Sequence, residues 1–234
     1  MIIKADLHTH TTRSFDGRQT LEQLAAAAKA KGLQAVAVTD HGKFCALPEQ
    51  LEGVLLIPGC EFYSDAGHIT GLFLERPPEL HRMTGEEAVA EIRRCGGIAI
   101  LAHPFQKPER QAKELQFDLD GIETANARAA YKNPAAHEQA AALAEQRGLP
   151  PIGGSDAHSV QEVGNAYTEI ECESLSSSAL KQALLQGKCT AVLKQDTPLR
   201  MIGLSQWERR KRMGGLKNRI IGLLFLCQCI LKER

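Results

Sequence analysis

A chain of 234 residues is long enough for one domain with a large core, and single α/β barrels fall in this range. Its 28 basic and 28 acidic side chains balance, so overall charge argues neither for nor against nucleic acid; yet residues 208–234 carry a net +6 and the body −6, a sign suited to divalent cations. Seven cysteines without a Cys-x-x-Cys pair exclude a disulfide framework and a zinc ribbon and fit reduced thiols in the cytoplasm; no basic start with an apolar run marks a secretory signal, and no apolar run is long enough to span a bilayer.

The first predicted strand is Ile2-Ile3-Lys4-Ala5-Asp6-Leu7-His8-Thr9-His10-Thr11. Side chains alternate across a strand, so His8 and His10 share one face and can share one cation. An isolated His-x-His fits a half-buried strand equally well, so the rest of the chain must decide. Thr20 caps a helix from Leu21 to Lys31, stopped by Gly32; the strand Leu33–Thr39 then ends in Asp40-His41-Gly42. Leu55-Leu56-Ile57 leads to Gly59-Cys60-Glu61, and His68 opens the apolar run to Leu74. A helix from Gly85 to Arg94 precedes the strand Ile98–Ala102 and His103-Pro104. A helix near 109–115 is followed by Gly121-Ile122-Glu123-Thr124-Ala125-Asn126. The Ala-rich helix 134–147 stops at Gly148, and Pro151-Ile152-Gly153-Gly154 brings Ser155-Asp156-Ala157-His158.

Strands alternating with helices through short Gly/Pro junctions predict a parallel sheet. Ionisable residues stand at the C-terminal end of nearly every strand, and in a closed barrel those ends meet at one mouth. His8, His10, His41, Glu61, His103, Asp156 and His158 come from such ends, and these seven form the catalytic set. His68 enters from a strand start, and Asp16 lies on the loop after the first strand. Nine ligands exceed what one cation needs and could hold two or three ions. Mixed imidazole and carboxylate donors suit Zn, Mn or Fe, with Glu61 or Asp156 as the bridging type. Metals about 3.5–4 Å apart share and acidify a water and clamp a developing oxyanion, which favours phosphate-ester hydrolysis. Asp6 and Asp40, next to ligands in sequence, are expected to accept hydrogen bonds from ligand imidazoles.

These motifs, Asp6-Leu7-His8-Thr9-His10-Thr11, Thr39-Asp40-His41, Gly59-Cys60-Glu61, Gly67-His68, Ala102-His103-Pro104 and Gly154-Ser155-Asp156-Ala157-His158, resemble in order those of the PHP (polymerase and histidinol phosphatase) family. The resemblance covers roughly residues 1–200. It implies a distorted seven-stranded (β/α) TIM-like barrel as a single domain, with a trinuclear metal cluster acting on phosphoesters through a metal-bridging hydroxide. It implies one metal site from His8, His10, Glu61 and Asp156, a second from Asp16, His41 and His158, and a third from Glu61, His68 and His103. Phe15 lengthens the more usual Ser-Asp-Gly before Asp16.

Arg128 and Lys132 follow a strand end and are candidates to grip a substrate phosphate; Lys107, Arg110 and Arg13 are poorer ones. His81 and His137 match no motif and are read as surface residues. Residues 201–234 form a basic and apolar tail beyond the barrel of residues 1–200. Arg209-Arg210-Lys211-Arg212 precede an apolar run from Ile220 to Leu231, too short to span a bilayer and apolar nearly all round. Packing against the barrel or a second chain is preferred for it over peripheral membrane contact. Nucleic-acid binding is not favoured, since aromatic platforms for single strands are missing. The expected substrate is a small-molecule or nucleotide phosphate ester. The rivals are an amidohydrolase-type barrel, which would want a bridging Lys where Glu61 stands, and a non-catalytic metal-stabilised module.

Overall fold

The computed structural model describes residues 1–107 and 117–233; the helix expected near 109–115 and Arg110 lie outside them. Ten strands and six helices follow in the order β1 (Ile2–Asp6), α1 (Leu21–Ala30), β2 (Ala35–Val38), β3 (Gln50–Leu51), β4 (Val54–Ser64), β5 (Gly67–Leu72), α2 (Gly85–Arg94), β6 (Ile98–Leu101), β7 (Gly121–Asn126), α3 (Ala136–Arg147), β8 (Pro151–Gly154), β9 (Ala166–Glu171), α4 (Ser177–Leu185), β10 (Cys189–Leu193), α5 (Leu199–Met213) and α6 (Leu216–Lys232). The helices begin where the chain supplies caps. Thr20 and Gln23 form a reciprocal capping box on α1, and Thr84 and Glu87 another on α2. Gly148, in the left-handed region, ends α3.

One sheet runs β10-β9-β1-β2-β4-β5-β6-β7-β8, with β3 flanking β4. β1, β2 and the first half of β4 are parallel, as are β6, β7 and β8. The all-parallel expectation fails at β5, which is antiparallel to both neighbours. Only Asp65 and Ala66 separate β4 from β5, and so short a link can make a hairpin but never a parallel crossover. β4 is therefore an 11-residue strand in which Glu61 lies well inside, not at the end.

Seven strands, β1, β2 and β4 to β8, encircle the mouth as a distorted α/β barrel. The ring closes just beyond β1 and β8, where Thr9 bridges Ala157 and the Asp156 N–H donates to the His8 carbonyl at 2.8 Å. Lower down, β9 is wedged into the seam. It pairs antiparallel with β1, while the Thr168 hydroxyl meets both the N–H and the carbonyl of Gly153 at 2.9 Å. Alternate side chains of these strands fill the interior with Ile3, Ala5, Ala37, Ile57, Leu72, Ile100 and Ile152, below the polar mouth. All seven cysteines are unpaired.

Beyond the barrel, α5 and α6 form a hairpin turning at Gly214-Gly215, both at positive φ. One side of α6, with Gly222 and Cys229, is buried, while Leu216, Ile220, Leu223, Leu224 and Leu231 stay exposed. Among the described residues no helix is long and apolar enough to cross a membrane.

Closure of the ring depends on the missing side chain of Gly153, where a Cβ would sit 2.2 Å from the Tyr167 carbonyl oxygen. Gly153→Ala should therefore cost about 1–3 kcal/mol of stability, read as a lower denaturation midpoint in urea. An unchanged midpoint would show that the β8–β9 seam can open without penalty.

Candidate metal centre

The mouth gathers all nine sequence-predicted ligands. His8 and His10 extend β1 on one face, His41 follows β2, Glu61 projects from within β4, and His68 lies opposite Tyr63 on β5. His103 follows β6; Asp156 and His158 follow β8; Asp16 arrives on the loop after β1. Glu61 is the hub. Its Oε2 lies 2.6 Å from His41 Nδ1, 3.6 Å from His10 Nε2 and 3.7 Å from His8 Nε2. Its Oε1 lies 2.6 Å from His68 Nδ1 and 3.2 Å from His103 Nε2. Asp156 Oδ1 reaches His10 Nε2 at 3.2 Å and His158 Nδ1 at 3.6 Å, and Asp16 Oδ1 stands 3.4 Å from His158 Nε2 and 3.6 Å from His41 Nε2.

Two of these residues hold backbone conformations that L-residues avoid. His103 has φ 28° and Asp156 φ 54°. Each such residue costs on the order of 1–3 kcal/mol, and such strain gathers at functional sites. Hydrogen bonds hold both in place: the His103 N–H donates to Glu123 Oε2 at 2.8 Å, and the Asp156 N–H donates to His8 O.

The donor set fits divalent cations. Six buried atoms, His8 Nε2, His10 Nε2, Asp16 Oδ1, His41 Nδ1, Glu61 Oε2 and His68 Nδ1, make no hydrogen bond. They crowd against one another without hydrogen-bond geometry, as where the Glu61 oxygens lie 2.6 Å from His41 Nδ1 and His68 Nδ1, and so many lone pairs converging in one buried place mark a site for a ligand that accepts them. His8, His10 and Asp156 could hold one ion, Glu61, His68 and His103 another, and His10, His41 and His158 a third. The carboxylates stand in the charge state that ligation needs, while His8 and His41 must first give up a proton. Burial would raise Glu61 and Asp156, but the imidazoles around each outweigh it and hold both well below the carboxylate range. Burial lowers His8 and His41, yet Glu123, Asp156 and Glu61 push His8 well up, and Glu61 with Asp16 lifts His41 to about 10. His10 goes the other way, to about 4, through burial and the neighbouring His41 and His158. The thiol of Cys60, pushed up to about 12 by burial, is no nucleophile.

The supporting layer differs from expectation. Asp6 contacts no ligand imidazole; it accepts from the Ser155 hydroxyl and N–H and from the Gly164 N–H, and so ties β1 to β8. Asp40 acts at one remove, accepting from the Thr11 and Ser14 hydroxyls, and Ser14 Oγ meets His10 Nδ1 at 3.1 Å. Adjacency in sequence placed these carboxylates near the site but could not say which way they turn. The direct imidazole partner is Glu123, which the sequence reading missed. Its Oε1 lies 3.0 Å from His8 Nδ1, leaving Nε2 for a metal. Its only local signal is a carboxylate inside a wholly buried strand.

A cavity of about 350 Å³ opens over the cluster, lined by Lys107, Lys132, Arg209 and Tyr63 among others. Arg128 lines it too, but Glu162 at 2.7 Å and the Ser205 hydroxyl already engage its guanidinium. Arg13 is exposed and lies off this lining. His81 is exposed, while His137 is half-buried against Asp196 at 3.3 Å; neither reaches the cluster. The basic tail does. Arg209 lies over the Phe15 ring at 5.1 Å, and Arg212 donates to the carbonyls of Ser14 at 2.7 Å, Thr12 at 2.9 Å and Gly17 at 3.0 Å. The loop carrying Asp16 is thus pinned by α5.

The model of the PHP domain matches residues 6–118, and that of the PHP-associated region matches residues 134–189. An uncharacterized protein of Methanocaldococcus jannaschii is 36% identical in an alignment of length 143 that covers 53% of this chain and 82% of that protein. A probable phosphatase of Acetivibrio thermocellus is 26% identical in an alignment of length 200 that covers 68% of this chain and 81% of that protein. Among solved structures, a two-domain protein of Bacteroides vulgatus containing a predicted PHP-like metal-dependent phosphoesterase superposes with TM-score 0.65 at 21% identity, covering 82% of this chain and 65% of its own. That likeness concerns the fold alone.

Imidazoles must shed protons to ligate, and His8, His41 and His103 all bind theirs more tightly than usual. Metal affinity should therefore rise with pH from 7 towards 10, with roughly one or more protons released per ion. Calorimetry in buffers of different ionisation enthalpy checks this, and buffer-independent heats would contradict it. Arg212→Gln should weaken metal binding about 10-fold by freeing the Asp16 loop, as losses behind a ligand do. Unaltered affinity in a competition titration would mean the loop holds itself.

Proposed function

The chain belongs to the PHP family, and on that premise we propose that it hydrolyses a small-molecule or nucleotide phosphate ester with two or three divalent ions held by the nine mouth residues. The observation that carries the reading is the convergence of six buried lone-pair atoms that make no hydrogen bond of normal geometry. Zn, Mn or Fe bound there would polarise the phosphoryl oxygens and make a water acidic enough to attack near neutral pH. Glu61, facing two of the donor groups, keeps positive charges close together in a buried site. Glu123 holds the His8 tautomer, and Ser14 with Asp40 holds that of His10. Lys107, Lys132 and Arg209 at the rim draw in an anionic ester, while Arg128 in the same lining has its charge largely offset by Glu162. A cavity of about 350 Å³ suits a small ester better than a polymer.

The rivals have less support. An amidohydrolase-type centre would want a lysine among the ligands, and the described cluster contains only imidazoles and carboxylates. A non-catalytic module would tolerate gaps in the ligand set, whereas all nine positions are filled.

The test pairs two small changes. Glu61→Gln keeps size but removes the shared negative charge. It should lower metal content and cut kcat/KM for phosphomonoesters at least about 100-fold, the rate equivalent of several kcal/mol, with the fold intact by circular dichroism. His81→Gln should stay within about twofold of the parent. Near-parental turnover by Glu61→Gln at saturating Mn or Zn would sink the shared-carboxylate role, and failure of the metal-loaded parent on every phosphoester would sink the proposal.

A further inference from the structure

Beside the cavity over the metal centre lies a second hollow of about 240 Å³, and Tyr131, Lys132, Gln206 and Arg209 belong to both. It continues between α5 and α6 to Ile221 and Phe225. The helices approach closely here because residue 222 is glycine, where a Cβ would sit 2.9 Å from Arg210 Cβ. The lining therefore changes along its length. The end at the metal centre is ringed by imidazoles and carboxylates, and the far end is aromatic and aliphatic. Lys132, Arg209 and Arg210 stand along it, and its lining includes no carboxylate.

These features divide a substrate into two parts. A phosphoryl group seated at the mouth would have its charge met by the ions and the His/Asp/Glu cluster. Whatever is esterified to it can extend into the adjoining hollow, towards Tyr131, Ile221 and Phe225. Flat rings pack well against such side chains, and guanidinium groups stack on ring faces. Arg210 lies in this hollow and not in the one over the metal centre, and with Arg209 it complements a further negative charge on the departing group. Resting on the phosphoesterase reading above, we infer that the groove between α5 and α6 is the leaving-group subsite, and that it takes an aromatic leaving group bearing a second anionic substituent.

Non-hydrolysable phosphonates read this subsite without turnover. Calorimetry on the metal-loaded full chain would compare methylphosphonate, benzylphosphonate and 4-carboxybenzylphosphonate. The parent should bind the benzyl compound about 10-fold more tightly than the methyl one, and the carboxylated compound several-fold more tightly again. Phe225→Ala should reduce the benzyl-to-methyl ratio at least about fivefold, and Arg210→Gln should remove the increment due to the carboxylate. Ile221→Gln, at a position already 37% exposed and so tolerant of a polar side chain, reports on the same ratio should Phe225→Ala fold poorly. Equal affinities for methyl and benzyl compounds in the parent, or a ratio unmoved by either groove variant, would overturn the subsite. A carboxylate increment that survives Arg210→Gln and is also missing its dependence on salt would overturn the anionic part. Phenyl phosphate turnover on the same preparations separates the two readings. Selective binding without hydrolysis keeps the groove and removes the phosphoesterase; hydrolysis without selectivity does the reverse.

Discussion

Everything at the mouth of this barrel answers to one carboxylate. Glu61 is 1% exposed and has five imidazoles within 3.7 Å of its two oxygens. A bare carboxylate at that depth would be costly, and it is tolerated because imidazoles crowd it, His8, His41 and His103 among them holding their protons more tightly than usual. That requirement shapes the sheet. Glu61 must sit within reach of β1, β2, β5 and β6 together, so β4 runs on past its parallel partner and folds back as a hairpin. The departure from a regular α/β barrel is thus the means by which His68 comes to face Glu61.

The opposite wall is held by a seam instead of a ladder. β1 and β8 touch only at their outer ends, where the His8–Asp156 and His10–Ala157 backbone bonds form, and β9 occupies the gap beneath. Gly154 allows this contact, since a Cβ there would lie 2.5 Å from His8 Cβ. Asp6 stitches the same seam from inside with Ser155 and Gly164. Four of the nine ligands, His8, His10, Asp156 and His158, hang from this junction. Their mutual geometry is therefore set by backbone contacts and a buried hydrogen-bond network, not by the flexibility of long side chains.

How much of this was legible depends on the range of the interactions. Strand and helix boundaries with Gly stops and Thr caps are local, and α1, α2 and β6 came out close to their observed spans. That nine candidate ligands would gather at one mouth was legible because each sits in a short motif with a fixed relation to a strand. Glu123 was not, because its partner His8 lies 115 residues away and nothing near it in sequence suggests an imidazole. The direction of β5 was misread because periodicity reports which face is buried and says nothing of strand sense. Asp6 and Asp40 were placed in the right neighbourhood but given the wrong partners, since the choice between a ligand ring and a serine hydroxyl is made by tertiary packing. The tail looked separate because its charge and composition change so sharply. Its Arg209 and Arg212 nonetheless point back to the first loop.

The contact of Arg212 with the carbonyls of Thr12, Ser14 and Gly17 joins residues about two hundred positions apart. During synthesis the chain emerges from its N-terminus, so His8, His10 and Asp16 are out long before the guanidinium that steadies their loop. At typical rates of about 5–20 residues per second, that interval is on the order of 10 seconds or more. For most of it the early histidines belong to an unfinished ring: Glu123 is added about halfway through, Asp156 later, and the clamp last. A cation met early in that period would find only part of the candidate set, so a site of the observed composition exists only once the polypeptide is nearly complete.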